Sequence, residues 1–134
     1  MVDGGAELVI ALDDWYGERQ EEMSPADRAG LYGRFEANIS DALAAGKLEA
    51  WRVGHWQEAA ILDLLGDRHP DMVFIDGDHL YDNVRHDIIF WSQLLAPGGL
   101  LSGHDFFHAG VQKAVLEQYG GRVVVTGSIW AVMC

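Results

Sequence analysis

Residues 74–106 read FIDGDHLYDNVRHDIIFWSQLLAPGGLLSGHDF, and the order of apolar runs, acids and turns in this stretch decides the fold. The unbroken run Met72-Val73-Phe74-Ile75 enters it and stops at Asp76. Such a run predicts a strand buried on both faces, as in a parallel sheet. Val84, Ile88, Trp91 and Leu95 then recur at helical spacing over 81–95, until Pro97-Gly98-Gly99 ends the helix. Leu100-Leu101-Ser102 leads a second strand into Gly103-His104-Asp105. Strand, helix and strand in this order predict an α/β domain with a mainly parallel sheet.

The same alternation extends in both directions. Toward the N-terminus, the apolar run 8–12 ends at Asp13-Asp14. Ser24-Pro25 reads as a helix N-cap followed by proline at the first helical position, with Asp27 as an acid in the first turn. Leu31, Phe35, Ile39 and Leu43 predict one helix over 25–45, closed by Gly46. A strand over 48–53 and a helix over 57–65 follow. Toward the C-terminus, a helix is expected over 111–119, then strands over 122–125 and 128–133. Thr126-Gly127 is too short a link for a parallel crossover, so these last strands form an antiparallel hairpin.

Bulk properties narrow the function. The 134 residues suit one domain, and 49% hydrophobic against 22% charged residues excludes a disordered chain. A formal charge of −12 excludes non-specific binding to nucleic-acid phosphates and favours a small neutral or cationic substrate. The one cysteine, Cys134, permits no internal disulfide. With no apolar run of membrane-spanning length and no leader-like N-terminus, a cytoplasmic protein without a membrane partner is expected.

In open α/β sheets, ligands bind beyond the carboxyl ends of the strands. Three strands end on acids there: Asp13-Asp14, Asp76-Gly77-Asp78-His79 and Gly103-His104-Asp105. Asp76 and Asp105 form a carboxylate pair suited to Mg²⁺ or another divalent cation. His79, three residues after Asp76, is placed to take a proton from a hydroxyl as general base. His104 is either a third metal ligand or a partner of Asp105, and imidazole suits Mg²⁺ less well than Zn²⁺ or Mn²⁺. Strand-end acids also serve as caps, which is the reading for Asp78 before the helix at Tyr81. His55, His69, His86 and His108 take surface or packing roles by default, with His55 beside an expected ligand loop. Trp51, Trp91 and Trp130 read as core residues, whereas Trp15 and Trp56 either flank an aromatic ring such as adenine or pack.

Residues 74–106 resemble the second half of a class I S-adenosylmethionine-dependent methyltransferase of the macrocin-type, sugar O-methyltransferase-like group (methyltransferase family 24-like). The shared features are IDGDH-x-Y after a buried strand, L-x-PGG, and a strand ending in HD. The likeness continues through LVIALDDWYGE, LYGRFEANI, the turn Gly54-His55-Trp56-Gln57-Glu58-Ala59 and GSIWAV. It implies a Rossmann-like sheet, mostly parallel with the C-terminal hairpin. It further implies S-adenosylmethionine as cofactor, with Asp13 on its ribose, and a cofactor site drawn from Trp15, Gly54, His55, Trp56 and Asp76. Asp76, His104 and Asp105 match the metal position, and His79 the base. His104 stands where the family often carries an acid.

The family's first strand and its glycine-rich turn have no counterpart before Leu8. Residues 1–134 are therefore expected to form a single, N-terminally truncated methyltransferase domain, whose unpaired strand edges favour a homo-oligomer. The implied function is metal-assisted O-methyl transfer to a hydroxyl of a sugar or small metabolite. The rival readings are a truncated fold acting as a binding module and, ranked last, a metal-dependent hydrolase.

Overall fold

A computed structural model describes residues 7–15, 24–54 and 56–134. The chain divides into two compact units, Met1–Leu64 and Leu65–Cys134.

In the first unit, β1 (Val9–Asp13) and β2 (Leu48–Arg52) pair in parallel, with Val9 opposite Leu48 and Asp13 opposite Arg52. Ser24 caps the helical segment between them as expected. Its Oγ accepts the Asp27 N–H at 3.1 Å and donates to the Asp27 carboxylate at 2.6 Å. The single helix expected over 25–45 is instead three: α1 (Pro25–Ala29), α2 (Leu31–Asn38) and α3 (Ser40–Ala44). Gly30 and Gly33 weaken the helix where the first break falls. At the second, Ile39 leaves helical geometry (φ −113°, ψ 10°) and its N–H is shared by the Phe35 and Glu36 carbonyls. Such shared bonds are common at helix ends. α4 (Glu58–Leu65) follows a turn in which the Gln57 side chain accepts the Gly54 N–H at 2.9 Å.

The second unit carries β3 (Met72–Ile75), α5 (Tyr81–Leu94), β4 (Leu100–Gly103), α6 (Ala109–Tyr119), β5 (Val124–Thr126) and β6 (Ile129–Met133). Its sheet runs β3-β4-β6-β5. β3 and β4 are parallel, and the last two strands form the expected antiparallel hairpin. Gly127, at φ +58°, makes the tight turn between them. Residues Gly120–Arg122 form a 3₁₀ turn, so the hairpin's first strand starts later than expected. β3 stands at the end of its sheet, and no strand among the described residues pairs with its free edge.

The core of this unit joins Val84 and Ile88 of α5, Val111 and Val115 of α6, and Leu101 and Trp130 of the sheet. Each fully buried aliphatic side chain stabilises the fold by roughly 1.5–3 kcal/mol. Val73 and Ile75 point into this core. Met72 and Phe74, which alternate with them, are 48% and 38% exposed. The expectation of a strand buried on both faces is thus corrected: both helices of the unit lie against one face, so an apolar run is covered on alternate residues only. No helix among the described residues is long and apolar enough to cross a membrane.

Candidate functional site

β3 and β4 run side by side with Ile75 opposite Gly103, so the residues after each emerge at one rim. Gly103 permits this closeness, because a Cβ there would lie 2.5 Å from the Ile75 carbonyl and 2.7 Å from the Trp130 ring. The His104 N–H continues the ladder, donating to Ile75 O at 3.0 Å. A small cleft opens between the two strand ends, lined by Asp76, His79, His104, Asp105, Val84 and Trp130.

Asp105 organises the polar side of this cleft. Its backbone is left-handed (φ 55°), a conformation that aspartate tolerates better than most residues. The carboxylate lies between two imidazoles: Oδ2 is 2.8 Å from His79 Nε2 and Oδ1 is 3.2 Å from His104 Nδ1. Hydrogen bonds from His79 first, and then from His104, hold the Asp105 carboxyl below the usual carboxylate range. A carboxylate only accepts, so His79 presents Nε2–H to Asp105, and in the neutral ring the lone pair lies on Nδ1. His104 is fixed from its far side by Ser128, whose Oγ lies 2.7 Å from Nε2.

Asp76, His104 and Asp105 each offer a ligand atom within 4.8 Å of the others. His104 Nδ1 is 3.8 Å from Asp76 Oδ1. Neighbouring ligands in an octahedral shell of radius about 2.1 Å lie about 3 Å apart. Two carboxylates and one imidazole at these separations, all partly open to solvent, fit one divalent cation after a small contraction.

The remaining expected residues divide clearly. Asp78 is structural, though not as the helix cap expected of it, since Leu80 takes the N-cap position of α5: its carboxylate accepts the Leu80 N–H at 2.7 Å and the Asn83 side-chain Nδ2–H at 2.6 Å. That fastens the loop carrying His79 to the first turn of α5. In the first unit, Asp13 accepts the Trp15 N–H at 2.6 Å. Burial, the largest influence, pushes its carboxyl up, against the lowering effect of that hydrogen bond. Trp15 packs on Phe35 and Tyr32, with ring centroids 4.1 and 5.3 Å away, as the packing alternative requires. The Trp56 ring folds over Gly54, where a Cβ would lie within 2.7 Å of it, and is 64% exposed. His55 lies outside the described residues. Trp51 and Trp130 are core residues as expected, and Trp91 is partly buried against the core.

Three contributors escaped the sequence reading. His108, assigned a packing or surface role, stacks on His79 with ring centroids 4.6 Å apart and planes 23° from parallel. Gly110 lets the start of α6 approach the His79 carbonyl and the Tyr81 amide so closely that a Cβ has no room. Ser128 is 24 residues from the histidine it holds. None sits at a spacing that marks it in the sequence, because each joins the site across the fold.

A family model described as a methyltransferase domain matches residues 1–106. No curated protein matches the chain. Among solved structures, the calicheamicin methyltransferase CalS11 superposes with a TM-score of 0.65 at 10% identity, over 94% of this chain and 60% of that one. The mycinamycin-pathway methyltransferase MycE, solved with Mg, SAH and mycinamycin VI, gives 0.54 at 16% identity, over 95% and 45%. An rRNA methylase from Streptococcus thermophilus gives 0.54 at 19% identity, over 98% and 89%. These likenesses establish the Rossmann-like methyltransferase fold. The chain spans 60% of CalS11 and 45% of MycE.

Proposed function

Because the chain belongs to the methyltransferase-domain family, whose model spans residues 1–106, we propose that it transfers a methyl group from S-adenosylmethionine to a hydroxyl of a small molecule. A sugar is the favoured acceptor class. The observation that carries this reading is the His79–Asp105 pair beside the Asp76, His104 and Asp105 donor set. A base and a cation-sized ligand group on one rim suit the activation of an alcohol. The neighbours add support: CalS11 is described as a TDP-rhamnose 3'-O-methyltransferase, and MycE was solved with Mg and SAH. The −12 charge speaks against a nucleic-acid substrate, and the lone thiol suits a reducing, cytoplasmic setting.

When bound, S-adenosylmethionine supplies an electrophilic methyl group, and a divalent cation held by Asp76, His104 and Asp105 makes the acceptor hydroxyl more acidic. Asp105 holds the His79 ring by Nε2–H and stabilises the charge that ring acquires. His79 would take the hydroxyl proton at Nδ1, which would leave the acceptor oxygen free to receive the methyl group. Asp76, at the end of β3, orients the acceptor toward that nitrogen. Asp13 and the Gly54–Trp56 turn are the proposed contacts for the ribose and adenine.

The test is transfer of isotopically labelled methyl from S-adenosylmethionine to a panel of sugars and nucleotide sugars, with and without added divalent cation. His79→Ala is expected to lower the rate by about 10²–10⁴-fold, with Asp76→Asn also impaired. Near-wild-type rates in both variants would overturn the mechanism.

A further inference from the structure

We propose that Ser128 holds the His104 ring ready to ligate through Nδ1, and that His104, so held, tunes the Asp76–His104–Asp105 site toward a first-row transition cation such as Mn²⁺ rather than Mg²⁺. The inference rests on the metal-assisted reading above and deepens it by naming the cation class and the residue that selects it.

Ser128 stands at the tip of the β5–β6 hairpin, just after Gly127, and is fastened to the β4 loop twice. Its carbonyl accepts the Phe106 N–H at 3.0 Å, and its Oγ lies 2.7 Å from His104 Nε2. These two bonds fall on either side of Asp105 in the chain. The hairpin tip therefore holds the ring and the following backbone in one geometry.

A histidine ligates through whichever nitrogen lacks a proton, and the partner of the other nitrogen decides which that is. With Ser128 Oγ as acceptor, the ring proton resides on Nε2. The Nδ1 lone pair then faces Asp76 Oδ1 at 3.8 Å and Asp105 Oδ1 at 3.2 Å. A hydroxyl can also donate, so without a cation Ser128 tolerates the opposite tautomer, in which Nδ1–H bonds to Asp105. A cation between the carboxylates removes that option, because it repels an N–H and attracts a lone pair. Serine is suited to both states, whereas an acceptor-only partner would permit one.

The resulting donor set is one imidazole nitrogen and two carboxylates. Imidazole bonds transition cations more strongly than Mg²⁺, which prefers oxygen. The preference stems from His104, and its strength from the ring being held ready by Ser128.

Two measurements on the full chain test this, neither requiring activity. In the first, Mn²⁺ and Mg²⁺ affinities are measured by titration calorimetry for the wild type and for Ser128→Ala, Ser128→Thr and His104→Asp, with circular dichroism to verify folding. Mn²⁺ should bind the wild type more tightly than Mg²⁺, and Ser128→Ala should weaken Mn²⁺ binding by about 10–100-fold. Ser128→Thr should restore it, and His104→Asp should narrow the Mn²⁺ over Mg²⁺ preference. In the second, electron spin-echo spectroscopy of the Mn²⁺ complex should show coupling to an imidazole ¹⁴N that is lost in His104→Asp.

Failure to bind Mn²⁺, absence of ¹⁴N coupling in the wild type, or unchanged Mn²⁺ affinity in a folded Ser128→Ala would each overturn the inference. If Ser128→Ala does not fold, the ¹⁴N signal and the His104→Asp preference decide it. Methyl transfer supported by Mg²⁺ without nitrogen coordination would sink the inference and leave the methyltransferase reading standing. Nitrogen-coordinated Mn²⁺ without methyl transfer to any acceptor would do the reverse.

Discussion

His79 Nε2 and Asp105 Oδ2 lie 2.8 Å apart, although 26 residues separate them in the chain. The second oxygen of the same carboxylate is 3.2 Å from His104 Nδ1, so Asp105 links the proposed base to the proposed cation site. Its carboxyl is held below the usual range, and this fixes the sign of a pH effect. The folded-state pKa is lower than the unfolded value of about 3.9. Asp105 therefore contributes stability in full above that value and loses it as pH falls through the folded pKa. Asp105→Asn should lack this component of acid destabilisation, visible in urea melts as a flatter stability profile at acid pH. An acid profile identical to the wild type would contradict it. The same variant should lower methyl transfer by at least about 10–100-fold, since it removes a proposed cation ligand as well as the partner that orients His79.

Asp13 gives the opposite sign. Burial raises its carboxyl pKa above the unfolded value, so its contribution is fully present below the unfolded pKa and lost as pH rises through the folded one. At neutral pH the ionised form costs stability. Asp13→Asn, which can still accept the Trp15 N–H, should raise Tm at pH 7, with the gain vanishing in acid. Binding of S-adenosylmethionine should weaken at the same time if the carboxylate grips the ribose, and calorimetry checks this. A lower Tm at pH 7 would show that the charged form has a favourable partner.

Gly110 tests how tightly the base is held from behind. A Cβ there runs into the His79 carbonyl and the Tyr81 amide nitrogen, and neither is the yielding end of a side chain. Alanine favours a helix by up to about 1 kcal/mol over glycine, while overpacking costs about 1–3 kcal/mol. The clash should prevail, so Gly110→Ala is expected to destabilise and to slow methyl transfer by displacing His79. Denaturant melts paired with kinetics check this, and a stabilised, fully active variant would show that the loop gives way freely.

His108 stacks on the His79 ring. Stacked aromatic pairs contribute about 0.5–1.5 kcal/mol. If that energy serves to hold the base in its reactive orientation, His108→Ala should lower kcat by about 2–10-fold with the fold intact. His108→Phe should recover most of the loss, because stacking rather than proton transfer is at issue. Failure of phenylalanine to rescue a folded protein would assign His108 a polar role instead.

What the amino-acid sequence determined by itself was local. Apolar runs, the Ser24 cap, the Pro97-Gly98-Gly99 stop and the short Thr126-Gly127 link specify strands, helices and a hairpin through backbone geometry that acts over a few residues. Strand-end acids followed from the same pattern, which is why Asp76, His79 and Asp105 were legible as candidates and the strand over 72–75 was placed to the residue. Propensity alone could not show that the helix over 25–45 breaks at Gly30 and at Ile39, whose N–H is shared between two carbonyls. Nor could an apolar run show that Met72 and Phe74 lie open, since coverage depends on which face the helices choose.

Only the tertiary structure decided which side chains meet. The parallel pairing of β3 with β4 carries His79 to Asp105, and the hairpin turns Ser128 back onto His104. The approach of α6 lays His108 over His79. These contacts are made by side chains a few ångströms apart in space and 24 to 29 residues apart in the chain, and no spacing rule reaches that far. The physical reason is that strand and helix periodicities constrain neighbours along one element. The partners of a catalytic group are chosen by packing between elements.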